Sequence, residues 1–242
     1  VTTLYAMTVT IANVALPRIQ GALSATTDEI APIITLNIVA TAVATPVSGW
    51  LAARFSRRLM LLVAIACFTV ATLLCGLATN LETLILSRIL QGVFAAPLAP
   101  ISQSFLLTSF PKSKQGLAMA VFGIGVVLGP AIAPVIGGYL TETLNWRWVF
   151  FMVVPIGVLS LVAVAAFIVD RNEGHRAPLD WTGFLSLSIA IAAFQYLLDR
   201  GERNDWFESE LILLLAVIGI VAFYIFVVHS MTHDQPFLNP AL

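Results

Sequence analysis

The chain has 242 residues, of which 59% are hydrophobic and only 10% are charged, and its formal net charge is −1. Soluble domains carry about 25% charged residues, so this chain cannot cover a water-facing surface and lipid is its expected solvent. The near-zero net charge also excludes an electrostatic basis for binding nucleic acid.

Eight apolar segments approach the length of about 20 residues that a helix needs to cross a bilayer. In chain order they cover residues 1–17, 31–53, 59–79, 84–109, 116–140, 147–169, 183–198 and 210–230. No alternation of polar and apolar residues suggests a membrane barrel, so the sequence predicts an all-α, polytopic membrane bundle. The chain begins inside the first segment without an initiator methionine or a basic leader. We therefore expect a truncated first helix and a longer parent polypeptide.

Basic residues in the loops predict how the segments are oriented. Seven of the twelve follow even-numbered segments: Arg54, Arg57, Arg58, Lys112, Lys114, Arg171 and Arg176. Four lie in loops on the opposite side: Arg18, Arg147, Arg200 and Arg203. Because basic loops remain cytoplasmic, the loop around residues 54–58 is predicted to lie inside the cell, beside anionic lipid headgroups.

The stretch GWLAARFSRR (residues 49–58) leaves a very short connection between segments two and three. These segments must therefore be antiparallel neighbours, and Gly49 would let a facing helix approach closely. The arginines are candidates for a cytoplasmic gate, with the alternative that Arg54, Arg57 and Arg58 serve only to fix topology.

Segment four contains LILSRILQGVFAAP (residues 84–97), in which Arg88 is the basic residue well inside an apolar span. A charge at that depth is costly and usually faces the bundle interior at a functional site. Gln91, three residues later, shares its helix face, and Gly92 permits close packing. The alternative is that Arg88 lies near the helix end and extends to the outer interface.

Segment five carries a stripe of small residues at every fourth position: Gly125, Gly129, Ala133 and Gly137. Another helix can lie very close along such a stripe, and Pro130 and Pro134 can bend the helix. The pattern predicts either a static packing seam or, as we favour, a seam along which the helix rocks.

Aromatic and charged residues mark the ends of the later segments. Trp146 and Trp148 open segment six and are expected to anchor it at the membrane interface. The stretch LLDRGERNDWFESE (residues 197–210) is expected to be a solvated external hairpin.

Motifs of catalysis and metal binding are absent from the sequence. It contains no phosphate-binding loop, no Gly-x-Ser-x-Gly and no Cys-x-x-Cys. His229 and His233 are four residues apart but lack the glutamate of a zinc-protease helix. Cys67 and Cys75 are about 12 Å apart on a helix, too far for a disulfide. The sequence therefore predicts no enzyme, no cofactor and no metal site.

Four stretches occur in an order that resembles the major facilitator superfamily. They are TIANVALPRIQ, GWLAARFSRR, SRILQGVFAA and GVVLGPAIAPVIGG, in segments one, two to three, four and five. With NWRWVFFMVVPIG, LDWTGF and LLDRGERNDWF, they more narrowly resemble its fourteen-span drug:proton antiporter branch, of the EmrB/QacA kind.

The resemblance implies a domain organisation. Residues 1–169 would form the N-terminal six-helix bundle, 170–182 a cytoplasmic linker and 183–230 the two additional helices of this branch. Residues 231–242 would begin a cytoplasmic segment toward a second bundle, which this sequence does not contain.

The resemblance also implies functions for individual residues. Arg88 would belong to a motif associated with proton coupling, and Gly129 and Pro130 to a motif found in exporters. Relatives usually carry aspartate where Thr8 and Ala53 stand here, and glycine where Ser56 stands. These departures put the membrane-embedded proton acceptor and the usual gate in doubt.

The sequence therefore predicts a multi-pass protein of the plasma membrane (the bacterial inner membrane) that exports drug-like or amphipathic small molecules by alternating access, driven by protons. Arg88, Gln91, Asn13 and Gln103 are the candidate proton-coupling and cavity residues. The expected partners are a small-molecule substrate, protons, lipid and the second bundle. The alternative is a non-transporting or decayed half-transporter without proton coupling.

Overall fold

The computed structural model describes residues 1–168 and 180–233. Over these ranges the chain is helical without β-strands, which confirms the all-α prediction. The helices are α1 (Thr2–Ala22), α2 (Thr27–Ile30), α3 (Pro32–Arg54), α4 (Arg57–Leu77), α5 (Leu81–Ala95), α6 (Leu98–Ser109), α7 (Lys112–Thr143), α8 (Trp148–Phe151), α9 (Val153–Phe167), α10 (Trp181–Arg200) and α11 (Glu210–Thr232). Two 3-10 turns, Glu202–Asn204 and Trp206–Glu208, connect α10 to α11.

Seven helical stretches are long and apolar enough, by length and composition, to cross a membrane. Within the described residues they are Thr27–Ala52, Arg57–Leu77, Leu81–Ser109, Lys112–Thr143, Trp148–Phe167, Trp181–Arg200 and Glu210–Thr232. They correspond to predicted segments two to eight. The first predicted segment is also helical, as α1, but its threonines, Asn13, Arg18 and Gln20 keep it less apolar than the others.

Prolines interrupt two of the predicted segments and leave others intact. The break between α5 and α6 falls at Pro97, and α8 and α9 meet at Met152, three residues before Pro155. Proline cannot donate a backbone hydrogen bond to the carbonyl four residues earlier, which weakens the helix there. Pro130 and Pro134, in contrast, lie inside the continuous 32-residue helix α7.

Helices α1 to α9 pack around one apolar core, and α10 and α11 form a pair on its flank. Within the core, α1 packs against α7, α3 against α5, and α4 against both α5 and α9. Ile11, Phe68 and Phe150 are fully buried at its centre. The pair, called here the accessory pair, packs through α10 against α3 and has its own small cluster of Leu197, Ile212 and Ala216.

The outward faces of α7 and α11 are apolar. Val135 on α7 is 74% exposed and Tyr224 on α11 is 68% exposed, among many exposed aliphatic neighbours. Continuous apolar faces of this extent are unusual on proteins that face water. They agree with lipid as the solvent that the composition predicts.

The accessory pair begins slightly earlier than the sequence indicated. α10 starts at Trp181, two residues before the predicted segment, because Asp180 caps it. The Asp180 carboxylate accepts a 3.0 Å hydrogen bond from the Gly183 backbone N–H, as N-cap residues do. The remaining predicted linker, with Arg171, His175 and Arg176, and the predicted cytoplasmic segment after residue 233 lie outside the described residues, so this division stays a prediction.

One of the two predicted interface anchors is buried instead. Trp146 is 6% exposed and packs edge-on against Phe150, with the Arg147 guanidinium 4.8 Å from its ring centroid. Trp148 is 44% exposed, as an anchor requires. The anchor prediction is therefore wrong for Trp146, because the turn before α8 directs its side chain into the core.

Candidate functional site

Arg88 is fully buried on α5, at the place where α5 meets α3 and α4. Its Nε donates a 3.2 Å hydrogen bond to the Ile33 carbonyl of α3, and its Nη1 donates to Oε1 of Gln91. The side chain therefore faces the bundle interior as predicted, and the alternative in which it extends to the outer interface is wrong.

Gln91 extends the hydrogen-bond network of Arg88 to a third helix, α4. Its Nε2 donates a 2.7 Å hydrogen bond to the Thr72 hydroxyl on α4, and that hydroxyl donates to the Phe68 carbonyl. From α3, Asn37 Nδ2 donates a 2.7 Å hydrogen bond to the Arg88 carbonyl. The network thus ties α3, α4 and α5 around one buried cation.

No carboxylate neutralises this cation within the described residues. The ion pairs found there involve Asp28, Asp180 and Asp199, none of which contacts Arg88. Arg88 Nη2 and Asn37 Oδ1 are also buried without a hydrogen-bond partner among these residues. A buried charge held only by neutral dipoles is costly, so it needs an explanation beyond packing.

Gly92 permits the close crossing of α3 and α5 beside Arg88. A Cβ atom at this position would clash with the Asn37 backbone carbonyl and lie 3.0 Å from the Thr41 hydroxyl. That hydroxyl lies within hydrogen-bond distance of two carbonyl acceptors, Gly92 at 3.0 Å and Asn37 of its own helix at 2.8 Å, which share its one proton. Only glycine fits here without displacing backbone.

The structure does not bring Asn13 and Gln103 into the Arg88 network. Both are exposed, Asn13 on α1 and Gln103 on α6. The four predicted cavity residues therefore divide into a buried pair, Arg88 and Gln91, and an exposed pair on other helices.

Thr8 stands where the family resemblance implies an acid, and it is bonded within its own helix. The residue is 1% exposed, and its hydroxyl donates a 2.6 Å hydrogen bond to the Leu4 carbonyl. This short-range bond satisfies the hydroxyl without reaching the Arg88 network.

The small-residue stripe of α7 packs against α1, and we call this contact the α1–α7 seam. A Cβ atom on Gly129 would lie 2.8 Å from the Thr3 carbonyl, and one on Gly137 would lie 2.6 Å from Ile11 Cγ1. Ala133, between them, is fully buried. Gly125 receives a 2.7 Å hydrogen bond at its carbonyl from the Thr3 hydroxyl.

Glycines of α7 outside the seam have free space. Nothing lies within 4 Å of a Cβ atom built on Gly123 or Gly138. Pro130 is half-buried beside Gly129. The close approach therefore belongs to the stripe and not to the helix as a whole.

The arginine loop, residues 54–58, contacts one carbonyl group and one aromatic ring. Arg58 Nη2 donates a 2.9 Å hydrogen bond to the Ala165 carbonyl, near the C-terminal end of α9, where a positive charge is favourable. The Arg54 guanidinium lies 5.6 Å from the Trp50 ring centroid. Arg57 is exposed.

Ser56 holds the turn between α3 and α4 in a backbone conformation that favours glycine, with φ 155° and ψ 145°. Its hydroxyl accepts a 3.1 Å hydrogen bond from the Leu59 N–H and so caps α4. This backbone agrees with the glycine that the family resemblance implies here, while the serine provides a capping bond instead.

Among the described residues, no helix makes the predicted close approach at Gly49. Nothing lies within 4 Å of a Cβ atom built there, because α5 and α10 pack on α3 at other positions. Gly49 instead borders a cavity of about 1360 Å³ together with Ser48, Ser56, Arg57, Ser102 and Thr108.

Two contacts of the accessory pair were not indicated by any sequence pattern. The Thr35 hydroxyl of α3 donates a hydrogen bond to Oδ2 of Asp199 on α10. His229 Nε2 on α11 lies 2.9 Å from both carboxylate oxygens of Asp180. Asn37 and Thr72 were missed as well, although a polar residue inside an apolar span is a signal that could have indicated them.

Candidate metal ligands do not assemble within the described residues. No group of three or more histidine, cysteine, aspartate or glutamate side chains there could hold an ion. Cys67 and Cys75 are free thiols.

Residues 1–239 match the family model described as Major Facilitator Superfamily. The chain is 39% identical over 235 residues to the multidrug export protein EmrB of Haemophilus influenzae, covering 96% of this chain and 46% of that protein. It is 37% identical to EmrB of Escherichia coli K12 and 38% identical to the fatty acid resistance protein FarB of Neisseria gonorrhoeae, with the same two coverages. The chain thus spans about half the length of the curated relatives it matches.

A solved structure shares the fold at low sequence identity. A bacterial homologue of the human lysosomal transporter Spinster, inward-facing and unoccupied, superposes with a TM-score of 0.60 at 19% identity. The match covers 93% of this chain and 56% of that one.

Proposed function

The chain belongs to the Major Facilitator Superfamily, a family of membrane transporters and not of enzymes, and from that premise we propose that its complete protein is a proton-driven exporter. The proposed substrates are drug-like or amphipathic small molecules. The proposed location is the bacterial plasma membrane, with the arginine loop in the cytoplasm.

The buried Arg88 guanidinium is the observation that carries this proposal. It is 0% exposed and, within the described part of the chain, has no carboxylate partner. A cation beside an acid lowers the proton affinity of that acid. Arg88 is therefore suited to release a proton from an acid that approaches it in one conformational state and not in the other.

We place the proton-binding acid outside the described residues. Thr8 cannot ionise in the physiological range, and the acids within the described ranges that form ion pairs do so elsewhere. An acid of the second bundle would reach the interface between bundles, where transporters of this plan bind coupling ions. Gln91 and Thr72 hold the Arg88 side chain in place for it.

The exposed pair, Asn13 and Gln103, supports a substrate pathway at that same interface. Polar side chains on membrane helices are costly in lipid and usually face a cavity or a partner helix. We propose that they face the second bundle, and that α7 rocks along the α1–α7 seam as the pathway opens and closes.

The substrate class is supported by the relatives. Two of them are named as multidrug exporters and a third as a fatty acid resistance protein. Molecules of these kinds combine an apolar body with few polar groups, so binding would depend on apolar surface and a small number of polar contacts.

Accumulation of a fluorescent amphipathic cation in cells that express the complete gene tests this proposal. We expect lower accumulation than in cells without the gene, and a protonophore should abolish the difference. Equal accumulation with and without the gene would favour the non-transporting alternative, and export that resists the protonophore would remove proton coupling.

Arg88 variants of the complete protein test the site itself. Arg88→Ala should abolish export while the amount of protein in the membrane stays similar. Arg88→Lys should restore little, because an ammonium group cannot reproduce the planar fork that contacts Ile33 and Gln91 together. Normal export by Arg88→Ala would contradict the role proposed for this residue.

A further inference from the structure

We propose that Asp199 of the accessory pair is a positioning residue for Arg88 and acts through Thr35 and the first turn of α3. The inference rests on the proposed function of Arg88. In this proposal the accessory pair fixes the position of α3, which forms one side of the Arg88 site.

The contact between the accessory pair and α3 is a charge-assisted hydrogen bond. The Thr35 hydroxyl donates to Asp199 Oδ2, and Thr35 is only 4% exposed. Arg200 Nε lies 3.9 Å from the same oxygen, on a side chain that is 12% exposed. Hydrogen bonds to an ionised group are about twice as strong as neutral ones, so this bond can hold two helices in register.

The other side of the same turn of α3 holds Arg88. The Ile33 carbonyl accepts the hydrogen bond from Arg88 Nε, and Asn37, one turn later, donates to the Arg88 carbonyl. Successive residues of a helix are about 100° apart, so Ile33 and Thr35 face different sides. α3 therefore lies between α10 and α5, with one bond to each within a single turn.

Although Ile33 packs in the apolar core, few polar contacts other than the bond to α10 fix the beginning of α3. Its first turn has no side-chain cap, because Ala31 occupies the N-cap position. The nearby ion pair of Arg203 with Asp28 is 3.9 Å long and exposed, and such pairs contribute little. Without the Asp199 bond, this turn loses its hydrogen bond to α10, so the Ile33 carbonyl is held less firmly as the acceptor for Arg88 Nε.

Cys75 provides a local probe of the Arg88 surroundings that does not depend on transport. It is fully buried on α4, one turn beyond Thr72 and within electrostatic range of Arg88. In the complete protein, with every other cysteine replaced, its rate of modification by membrane-permeant N-ethylmaleimide reports how tightly this region is packed.

We compare Asp199→Ala and Thr35→Val, which remove the bond, with Asp199→Asn and Thr35→Ser, which keep an acceptor and a donor. Asp199→Ala and Thr35→Val should both raise the Cys75 modification rate about tenfold and lower export about tenfold. This is the change expected when a hydrogen bond to a charged group is lost. Thr35→Ser should resemble the parent protein, and Asp199→Asn, whose neutral amide oxygen still accepts a hydrogen bond, should lie between the parent protein and Asp199→Ala. Glu208→Ala removes an exposed acid from the turn between α10 and α11, and it should change neither the Cys75 modification rate nor export.

A docking role alone predicts a different result. If Asp199→Ala and Thr35→Val lower export or the amount of protein while Cys75 reacts at the parental rate, the positioning role is overturned. It is also overturned if neither quantity changes. Should Asp199→Ala fail to insert, Thr35→Val tests the same bond with one hydroxyl removed.

Failure of the proposed function gives a separate signature. Normal export by Arg88→Ala would contradict that function, whereas the Cys75 rates would still show whether Asp199 fixes the surroundings of Arg88.

Discussion

Glycines bring helices into close contact at Gly92 and at Gly129, and the surroundings of these two glycines differ. At Gly92, α3 and α5 are joined by three interhelical hydrogen bonds, from Asn37, Thr41 and Arg88. At Gly129, α1 and α7 meet through aliphatic and backbone surfaces, with one interhelical hydrogen bond at the end of the seam, from Thr3 to the Gly125 carbonyl.

The difference indicates how each contact can move. Hydrogen bonds are directional and weaken steeply when a shift lengthens them or bends their angle. Contacts between smooth apolar surfaces keep most of their energy through a small slide, since the hydrophobic effect is non-directional. We therefore expect the α3–α5 crossing to behave as a rigid unit and the α1–α7 seam to permit rocking.

Gly129→Leu should have the largest effect on transport. A Cβ atom at this position already lies 2.8 Å from the Thr3 carbonyl, so a leucine would separate the helices and hold the seam in one position. We expect export by the complete protein to fall at least about 100-fold, to background, on the scale at which misplacement by an ångström affects function.

Gly123→Ala is the matched control for this substitution, because nothing lies within 4 Å of its added Cβ atom. It should export normally. Equal export by Gly129→Leu and the parent protein would remove the seam from the mechanism.

Gly92→Ala should instead reduce stability. The added methyl group would meet the Asn37 backbone carbonyl, which cannot yield without disturbing the hydrogen bonds around it. We expect a loss of about 1–3 kcal/mol in the free energy of unfolding, the usual cost of overpacking, measured as a lower Tm in detergent. Gly138→Ala, at an open position, should leave Tm unchanged, and an unchanged Tm for Gly92→Ala would contradict a rigid crossing.

Thr41→Val should weaken the same crossing by a smaller amount. It removes the hydroxyl that bonds the Gly92 carbonyl while it keeps the shape of the side chain. The expected cost is about 1 kcal/mol, the net value of one hydrogen bond, again measured as Tm. Thr41→Ser keeps the hydroxyl and should lie closer to the parent protein than Thr41→Val does.

Thr3→Val should change export very little if α1 and α7 can slide along the seam. The substitution removes the hydrogen bond from Thr3 to the Gly125 carbonyl and leaves the apolar contacts in place. Export should stay within about twofold of the parent value, because one exposed or half-exposed bond contributes little. Loss of export would mean that this bond holds α1 and α7 in one position. The proposed contrast between a rigid α3–α5 crossing and a mobile α1–α7 seam would then be wrong.

Labelling should show which end of the seam faces the cytoplasm, with no effect on function. Ser113 lies in the first turn of α7, and Asn204 lies in the turn between α10 and α11. The loop charges predict Ser113 inside and Asn204 outside. In a background without Cys67 and Cys75, an impermeant thiol reagent added to intact cells should label Asn204→Cys and spare Ser113→Cys; the reverse pattern would invert the topology.

Much of the helical framework follows from composition and periodicity. The apolar lengths of segments two to eight predict spanning helices, because lipid requires such lengths whatever the neighbouring helices are. The interior position of Arg88 followed from the cost of a charge in an apolar span, and the stripe from Gly125 to Gly137 from its four-residue spacing. Each of these properties belongs to a single helix.

Tertiary structure alone decided which helix faces which. The spacing of the small-residue stripe does not predict that α1 is the helix that packs on it. Nothing in the sequence indicates that Thr35 contacts Asp199, 164 residues later. Packing also departs from two local expectations: Trp146 turns into the core, and no helix among the described residues closely approaches Gly49. A residue pattern fixes the character of a helix face, but its partner depends on how all the faces are accommodated together, and that information is spread over the whole chain.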